Sequence, residues 1–344
     1  MTAVEYRRVQ LTGRSTYIIS LPKEWARGVG LKPGHTVALI QQADSSLLLV
    51  PRGDVKVEAR PEALVEVHPS VDPGASIRTF ISHYLAGCDF IRVRFHHGTL
   101  QHRALLKEVI KRKLIGLEIV EESADEILTQ CLIGHSELPL KRAVNRMSTI
   151  ARSMYSDALA AYSSADHSLA AEVMARDDEV DRFYFFIVRQ LKTAVQNRPL
   201  IEEIGLRGPK DCLGYRLVAK SIERVADHSA RVASLTLGLD RRLDPEVVGG
   251  VLEVGELAGR AYSKAMEALE ALDVEGANSS IGLSAETVEA SRREAERLAS
   301  LNLAPRYVVN LSLALDSLRR VAEYGADIAE VAVNLAVSSP GPRC

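Results

Sequence analysis

"GRSTYIISLPKEWARGVGLKPGHTVALI", residues 13–40, compresses strand, turn, helix and strand signals into one short run. Residues 5–11 and 15–20 alternate as strands do, with Gly13 between them as the turn. Ser20 is a good N-cap, and Pro22 falls in the first helical turn, where a missing N–H costs nothing. The helix runs from Lys23 to about Val29 and stops at Gly30, a residue suited to a left-handed C-terminal position. Pro33-Gly34 has the chemistry of a type II turn. Val37–Ile40 and Leu47–Val50 then read as a hairpin around Asp44-Ser45-Ser46. Trp25, the only tryptophan, reads as an anchor of the short helix. Two hairpins and one helical turn enclose too little core to be stable alone. Dimerisation is the simple way to close such a sheet, so a homodimer is expected.

The rest of the chain is a different material. The whole sequence is 47% hydrophobic and 26% charged, enough for a globular core, but only 5% aromatic, which points to helices packed through aliphatic side chains. No apolar run reaches the length of a membrane span, so no membrane insertion is expected. Residues 1–10 hold Glu5, Arg7 and Arg8 and lack the apolar stretch of a signal peptide. Cys88, Cys131, Cys212 and Cys344 are scattered, which argues against a zinc finger or disulfide framework and for a cytoplasmic location. Residues 1–54 carry seven Lys/Arg against four Asp/Glu, whereas residues from 137 onward carry 26 against 30. A mildly basic head on an acidic body is compatible with a nucleic-acid end and a second end of another kind.

Residues 55–136 read as a small α/β unit. "ALVEVHP", "DFIRVRF", "GLEIVEES" and "EILTQCLI" are strands, and Ser76–Ala86 and Leu100–Lys113 are helices. From 137 to 337 the pattern is helical and repeats. "YSDALAAYSSAD" (155–166) matches "YSKAMEALEALD" (262–273), "DDEVD" (177–181) matches "AETVE" (285–289), and "SIERVADHSARVA" (221–233) matches "SLRRVAEYGADIA" (317–329). Three matches in one order predict a duplicated three-helix unit, 137–240 and 241–337.

Glu223 and Asp227 are four residues apart and share one helix face. Asp178 with Asp181, or Asp177 with Asp181, do the same on the preceding helix. Facing acidic pairs repel unless a cation or an arginine neutralises them, and hard or borderline cations accept all-oxygen sites. His228 could add a nitrogen ligand; a capping or exposed role is the plain alternative. In the second copy Arg319 replaces Glu223 and Glu323 replaces Asp227, while Glu323 and Asp327 keep an acidic pair one turn later. Glu286 and Glu289 match Asp178 and Asp181 there, and Arg319 is placed to neutralise Glu323 internally. A bundle di-iron enzyme needs Glu-x-x-His pairs on two helices, and none occurs between 137 and 337. No nucleophile elbow or phosphate loop occurs either, so the chain is not read as an enzyme.

Two resemblances gather these readings. Residues 5–52, through "GRSTYIISLPKEWARGVGLKPGHTVALI", resemble the SpoVT/AbrB-type DNA-binding domain. That resemblance implies an intertwined homodimer whose basic residues, here Arg7, Arg8, Arg14, Lys23 and Arg27, face DNA. Residues 137–337, through "DDEVD", "ERVADHS" and "RRVAEYGAD", resemble the PhoU domain, which implies tandem three-helix bundles with acidic motifs able to bind divalent or iron-type metal ions. The combination is similar to archaeal PhoU-related regulators with an AbrB-like head. It implies a β-rich swapped-hairpin head, a small α/β middle segment and an all-α body. It also implies a DNA-binding regulator of phosphate uptake and intracellular phosphate homeostasis, acting as a negative transcriptional regulator. The alternative is an adaptor whose head only dimerises, contacting a phosphate transporter or a signalling protein.

Overall fold

The fold was obtained as a computed structural model, which describes residues 5–13, 15–41, 45–51, 62–134 and 137–337. The chain divides into two compact units at Pro61/Glu62.

In the first unit, β1 (Gln10–Thr12) pairs antiparallel with β2 (Thr16–Ile18), and β3 (Val37–Gln41) pairs antiparallel with β4 (Leu47–Pro51). The first hairpin is shorter than its alternation suggests. Between the hairpins lies α1 (Lys23–Gly28). Pro22, not Ser20, occupies its N-cap position, and no side chain caps it. The C-terminal end is as expected. Gly30 has φ +67°, its N–H donates to Arg27 O at 3.1 Å, and Leu31 N–H donates to Ala26 O at 2.7 Å, the paired bonds of a Schellman motif. Gly34 has φ +90° and His35 N–H donates to Lys32 O at 3.1 Å, which makes the Pro33-Gly34 turn type II. None of the described residues of this unit is fully buried.

The second unit opens with a four-stranded sheet in the order β5 (Ala63–Val67), β6 (Phe90–Phe95), β8 (Glu126–Cys131), β7 (Leu117–Glu122). β5 and β6 are parallel; the other pairs are antiparallel. The crossover is α2 (Pro73–Leu85), and α3 (Leu100–Lys113) follows β6. α2 begins earlier than the apolar pattern suggests, because Asp72 caps it by accepting from Ala75 N–H at 2.8 Å and Pro73 fits its first turn. Phe80, Tyr84, Leu106 and Ile110 pack on Val65, Ile91, Val93 and Ile127. The opposite sheet face carries Glu66, Arg92, Arg94 and Glu126 in a cross-strand ion ladder.

Helices α4 (Leu140–Ser164), α5 (His167–Ala175), α6 (Asp177–Gln196), α7 (Arg198–Glu203) and α8 (Pro209–Thr236) form the first copy. Helices α9 (Pro245–Ala271), α10 (Val274–Ser300) and α11 (Pro305–Val337) form the second. The duplication extends to backbone detail. Ala165 (φ +56°) and Leu272 (φ +53°) end α4 and α9 in the left-handed region. Asp166 and Asp273 follow as N-caps, accepting from Ser168 N–H and Glu275 N–H. The copies differ in the middle. One continuous helix, α10, corresponds to α5 and α6, which part at Arg176; its guanidinium is held by Asp157 at 2.6 Å. The longer first-copy connection forms α7.

The sheet is fastened to α6 by Arg189, whose side chain is only 3% exposed. Its guanidinium donates to Tyr84 O at 2.7 Å, Cys88 O at 2.8 Å and the Asp89 carboxylate at 2.8 Å. The approach is close enough that a Cβ on Gly87 (φ +89°) would stand 2.6 Å from Thr193 Oγ1.

Candidate functional site: an acidic group on α6 and α8

Asp177 and Asp181 sit one turn apart at the start of α6, and Glu223 and Asp227 one turn apart on α8. The four groups sense one another. Burial, then Asp181, Asp227 and Glu223, push the Asp177 carboxyl up to about 6. Burial, then Glu223 and Asp181, push Asp227 up to about 6, against the opposing pull of Arg224 and Lys220. Asp177 makes no ion pair with any described residue. Glu223 is paired with Lys220 on its own helix, and Asp227 with Arg224 at 3.4 Å.

Asp178 does not join them. It turns toward α3, where Lys113 Nζ lies 3.1 Å away and Arg112 4.0 Å. Lys113 also binds Asp181 at 2.9 Å. Burial pulls the Lys113 ammonium down, but Asp181 and Asp178 together outweigh it and its pKa is raised. Of the two pairings open in the sequence, Asp177 with Asp181 is therefore the one that faces α8. His228 is also turned away. It faces α11, its ring 5.8 Å from that of Tyr324, and burial with the nearby Arg231 lowers its pKa to about 4.

In the second copy Arg319 binds Glu323 and donates to Asp316 at 2.7 Å, the internal neutralisation expected from the sequence. Burial, then Glu330 and Glu323, raises the Asp327 carboxyl. Glu286 and Glu289 are exposed, and Glu289 pairs with Arg292 at 3.2 Å. In the first copy Lys113, Lys220 and Arg224 pair with Asp181, Glu223 and Asp227, and in the second Arg319 and Arg320 pair with Glu323.

On the head, Arg8, Lys23 and Arg27 are exposed, with Lys23 and Arg27 on one face of α1. Arg7 is exposed and paired with Glu5. Arg14 lies outside the described residues, as do residues 42–44 at the second turn. Trp25 is half-buried.

One further group has no signature in the sequence. Glu66 and His68 at the end of β5 stand beside His96 at the end of β6, with one potential ligand atom from each within 4.8 Å of the others. His96 lies 28 residues beyond His68, and only the parallel β5–β6 register joins them.

Comparison with known proteins matches two separate segments of the chain. Residues 144–236 match the PhoU domain, and residues 10–56 match "Antidote-toxin recognition MazE, bacterial antitoxin". A Caulobacter vibrioides phosphate-specific transport system accessory protein PhoU homolog is 33% identical over 96 residues, 28% of this chain and 39% of its own length. The Pseudomonas putida homolog of the same description is 28% identical over 162 residues, 46% of this chain and 60% of its own. The match thus spans less than two thirds of either relative. The crystal structure of the phosphate transport system regulatory protein PhoU from Streptococcus pneumoniae superposes with a TM-score of 0.51 at 18% identity, covering 59% of this chain and 96% of that one. The shared fold is the helical bundle. Among the described residues no helix is long and apolar enough to cross a membrane.

Proposed function

We propose that this chain is a DNA-binding regulator of phosphate uptake in which the β-rich head contacts DNA and the helical body relays phosphate status. The observation that carries the reading is the joining of a MazE-type segment and a PhoU-type segment in one chain. The relatives of the helical segment are named for the phosphate-specific transport system, which supports phosphate as the signal. The exposed cations Arg8, Lys23 and Arg27, with Arg7 and Arg14, are the residues for phosphate contact on DNA.

The head acts as a homodimer. Tyr17 is 76% exposed, Leu39 64% and Leu47 59%, on strands that bury nothing fully, and a second copy covering them supplies the missing core. Deleting residues 1–52 should lower the mass seen by light scattering; an unchanged oligomer refutes this part.

Asp177, Asp181, Glu223 and Asp227 hold a divalent or iron-type cation. The support is electrostatic: no three of these carboxylates bring ligand atoms within 4.8 Å of one another, but burial and the neighbouring carboxylates push Asp177 and Asp227 up to about 6, a penalty that a cation relieves. Such an ion would tie α6 to α8 electrostatically. Elemental analysis of protein purified without chelator tests it, with Glu223→Ala/Asp227→Ala as the variant that should lose the metal.

The deciding experiment is DNA binding against salt. Affinity should fall steeply with salt, and Lys23→Ala with Arg14→Ala should weaken it broadly and flatten the slope by about one unit for each phosphate no longer neutralised. A chain that binds no DNA at low salt overturns the regulator reading and leaves an adaptor that touches a phosphate transporter or signalling partner.

A further inference from the structure

We propose that Glu66, His68 and His96 form a binding site for a zinc-type divalent cation on the open face of the middle sheet. The site is separate from the acidic group on α6 and α8 and does not depend on the reading of the head as a DNA-binding element.

The placement follows from strand geometry. Glu66 and His68 are two residues apart, so they leave β5 on the same face. Parallel pairing puts Glu66 opposite Arg94, and the ladder continues with His96 N–H donating to Val67 O at 3.0 Å. His96 is two residues beyond Arg94 and therefore shares that face. The imidazoles of His68 and His96 stack with centroids 3.9 Å apart and planes 20° from parallel.

Distances favour an ion over a hydrogen-bonded trio. Glu66 Oε2 lies 3.5 Å from His96 Nε2 and 3.8 Å from His68 Nε2. Both are long for a hydrogen bond. Two ligands bound at about 2.1 Å to one tetrahedral ion stand about 3.4 Å apart. The two carboxylate–imidazole separations approach that edge length; the stacked rings must unstack and turn so that both Nε2 atoms point at one ion. Arg94 Nη1 binds the other carboxylate oxygen, Oε1, at 3.2 Å, which orients Glu66 and leaves Oε2 to the ion. Arg94 also lies 3.8 Å from Glu126, which shares its charge. Arg92 is committed to Glu62 and Glu126.

The donor set selects the ion. Two imidazoles and one carboxylate suit zinc and its neighbours and are a poor cage for calcium or magnesium. Three protein ligands leave a fourth position open. All three residues are exposed, so water can reach that position from solvent.

The full chain, freed of metal with chelator, should be titrated with Zn²⁺ by calorimetry, and with Co²⁺ as a visible probe of nitrogen ligation. One event should persist in Glu223→Ala/Asp227→Ala. It should be lost or weakened more than about tenfold in His68→Ala and in His96→Ala, since losing a ligand exceeds the usual effect of losing a group that only orients one. His97→Ala, a neighbour outside the trio, should bind as the parent does. Glu66→Gln keeps the side-chain volume and should weaken binding without changing the far-ultraviolet circular dichroism. Zn²⁺ binding that survives both histidine substitutions, or no binding by the parent, overturns the proposal.

Discussion

Tyr155 and Tyr262 hold equivalent places in the two helical copies, and each reaches into the other copy. Tyr155 Oη donates to Gly255 O at 2.6 Å, and Tyr262 Oη shares a hydrogen bond with Ser148 Oγ at 2.8 Å. Tyr262 follows Tyr155 by 107 residues, and Gly255 follows Ser148 by the same 107. The contact is therefore reciprocal, as in an isologous dimer interface, but built within one chain. Burial drives both phenols well above their ordinary pKa, so each stays protonated at any ordinary pH.

Phenylalanine at either position tests the reciprocity. Tyr262→Phe leaves the Ser148 hydroxyl, 8% exposed, without this partner and should cost about 1–2 kcal/mol. Tyr155→Phe removes only a donor from a helix carbonyl and should cost about 1 kcal/mol. Urea unfolding measures both. Two variants as stable as the parent would show that the contacts are incidental to the interface.

Gly325 sits where α11 meets the backbone of α9. An added Cβ would lie 3.1 Å from both Cα and N of Tyr262, atoms that cannot step aside. Gly325→Ala gains about 1 kcal/mol of helix propensity but incurs an overpacking cost of about 1–3 kcal/mol, so a net loss is expected. At Gly249, on α9, an added Cβ would meet nothing within 4 Å, and Gly249→Ala should be neutral or stabilising. Thermal unfolding of the two variants reads the difference; equal shifts of the same sign contradict the packing argument.

The helical duplication is legible in the sequence because apolar and acidic spacing repeats in order, and the type II turn because Pro33-Gly34 admits few alternatives. The left-handed ends at Ala165 and Leu272 are not, since neither residue favours that backbone. At the acidic group, spacing does not choose between Asp177 and Asp178, because both fall within a turn of Asp181. Lys113 makes the choice, 68 residues before Asp181 in sequence. Ser20 has the chemistry of a cap but not the place, as Pro22 takes the N-cap position. Glu66, His68 and His96 become a group only through strand pairing, which local patterns do not encode.

Arg189 joins the sheet to α6 with three hydrogen bonds from one buried guanidinium. Arg189→Met removes them all. The Asp89 side chain is 36% exposed, so its charge stays solvated and the loss falls toward the low end for a broken buried pair, about 2–3 kcal/mol. Hydrogen exchange should quicken in β5–β8 more than in α9–α11. Uniform quickening, or none, counts against Arg189 as the local fastener.

Asp227 links the acidic group to pH and, on the proposed function, to metal. Its folded pKa is about 6, above the value of about 3.9 expected for an unfolded chain. Between those values the folded state holds a proton that the unfolded state has released. Stability therefore falls as pH rises from about 4 to about 6, and the loss is complete at pH 7. Asp227→Asn removes the charge that burial and Glu223 oppose. In chelator, its urea midpoint should exceed the parent's at pH 7, and the advantage should vanish near pH 4. Mn²⁺ or Mg²⁺ at pH 7 should raise the parent's midpoint more than the variant's, because a bound cation replaces the missing proton. A difference between variant and parent that stays constant from pH 4 to pH 7 would falsify this linkage.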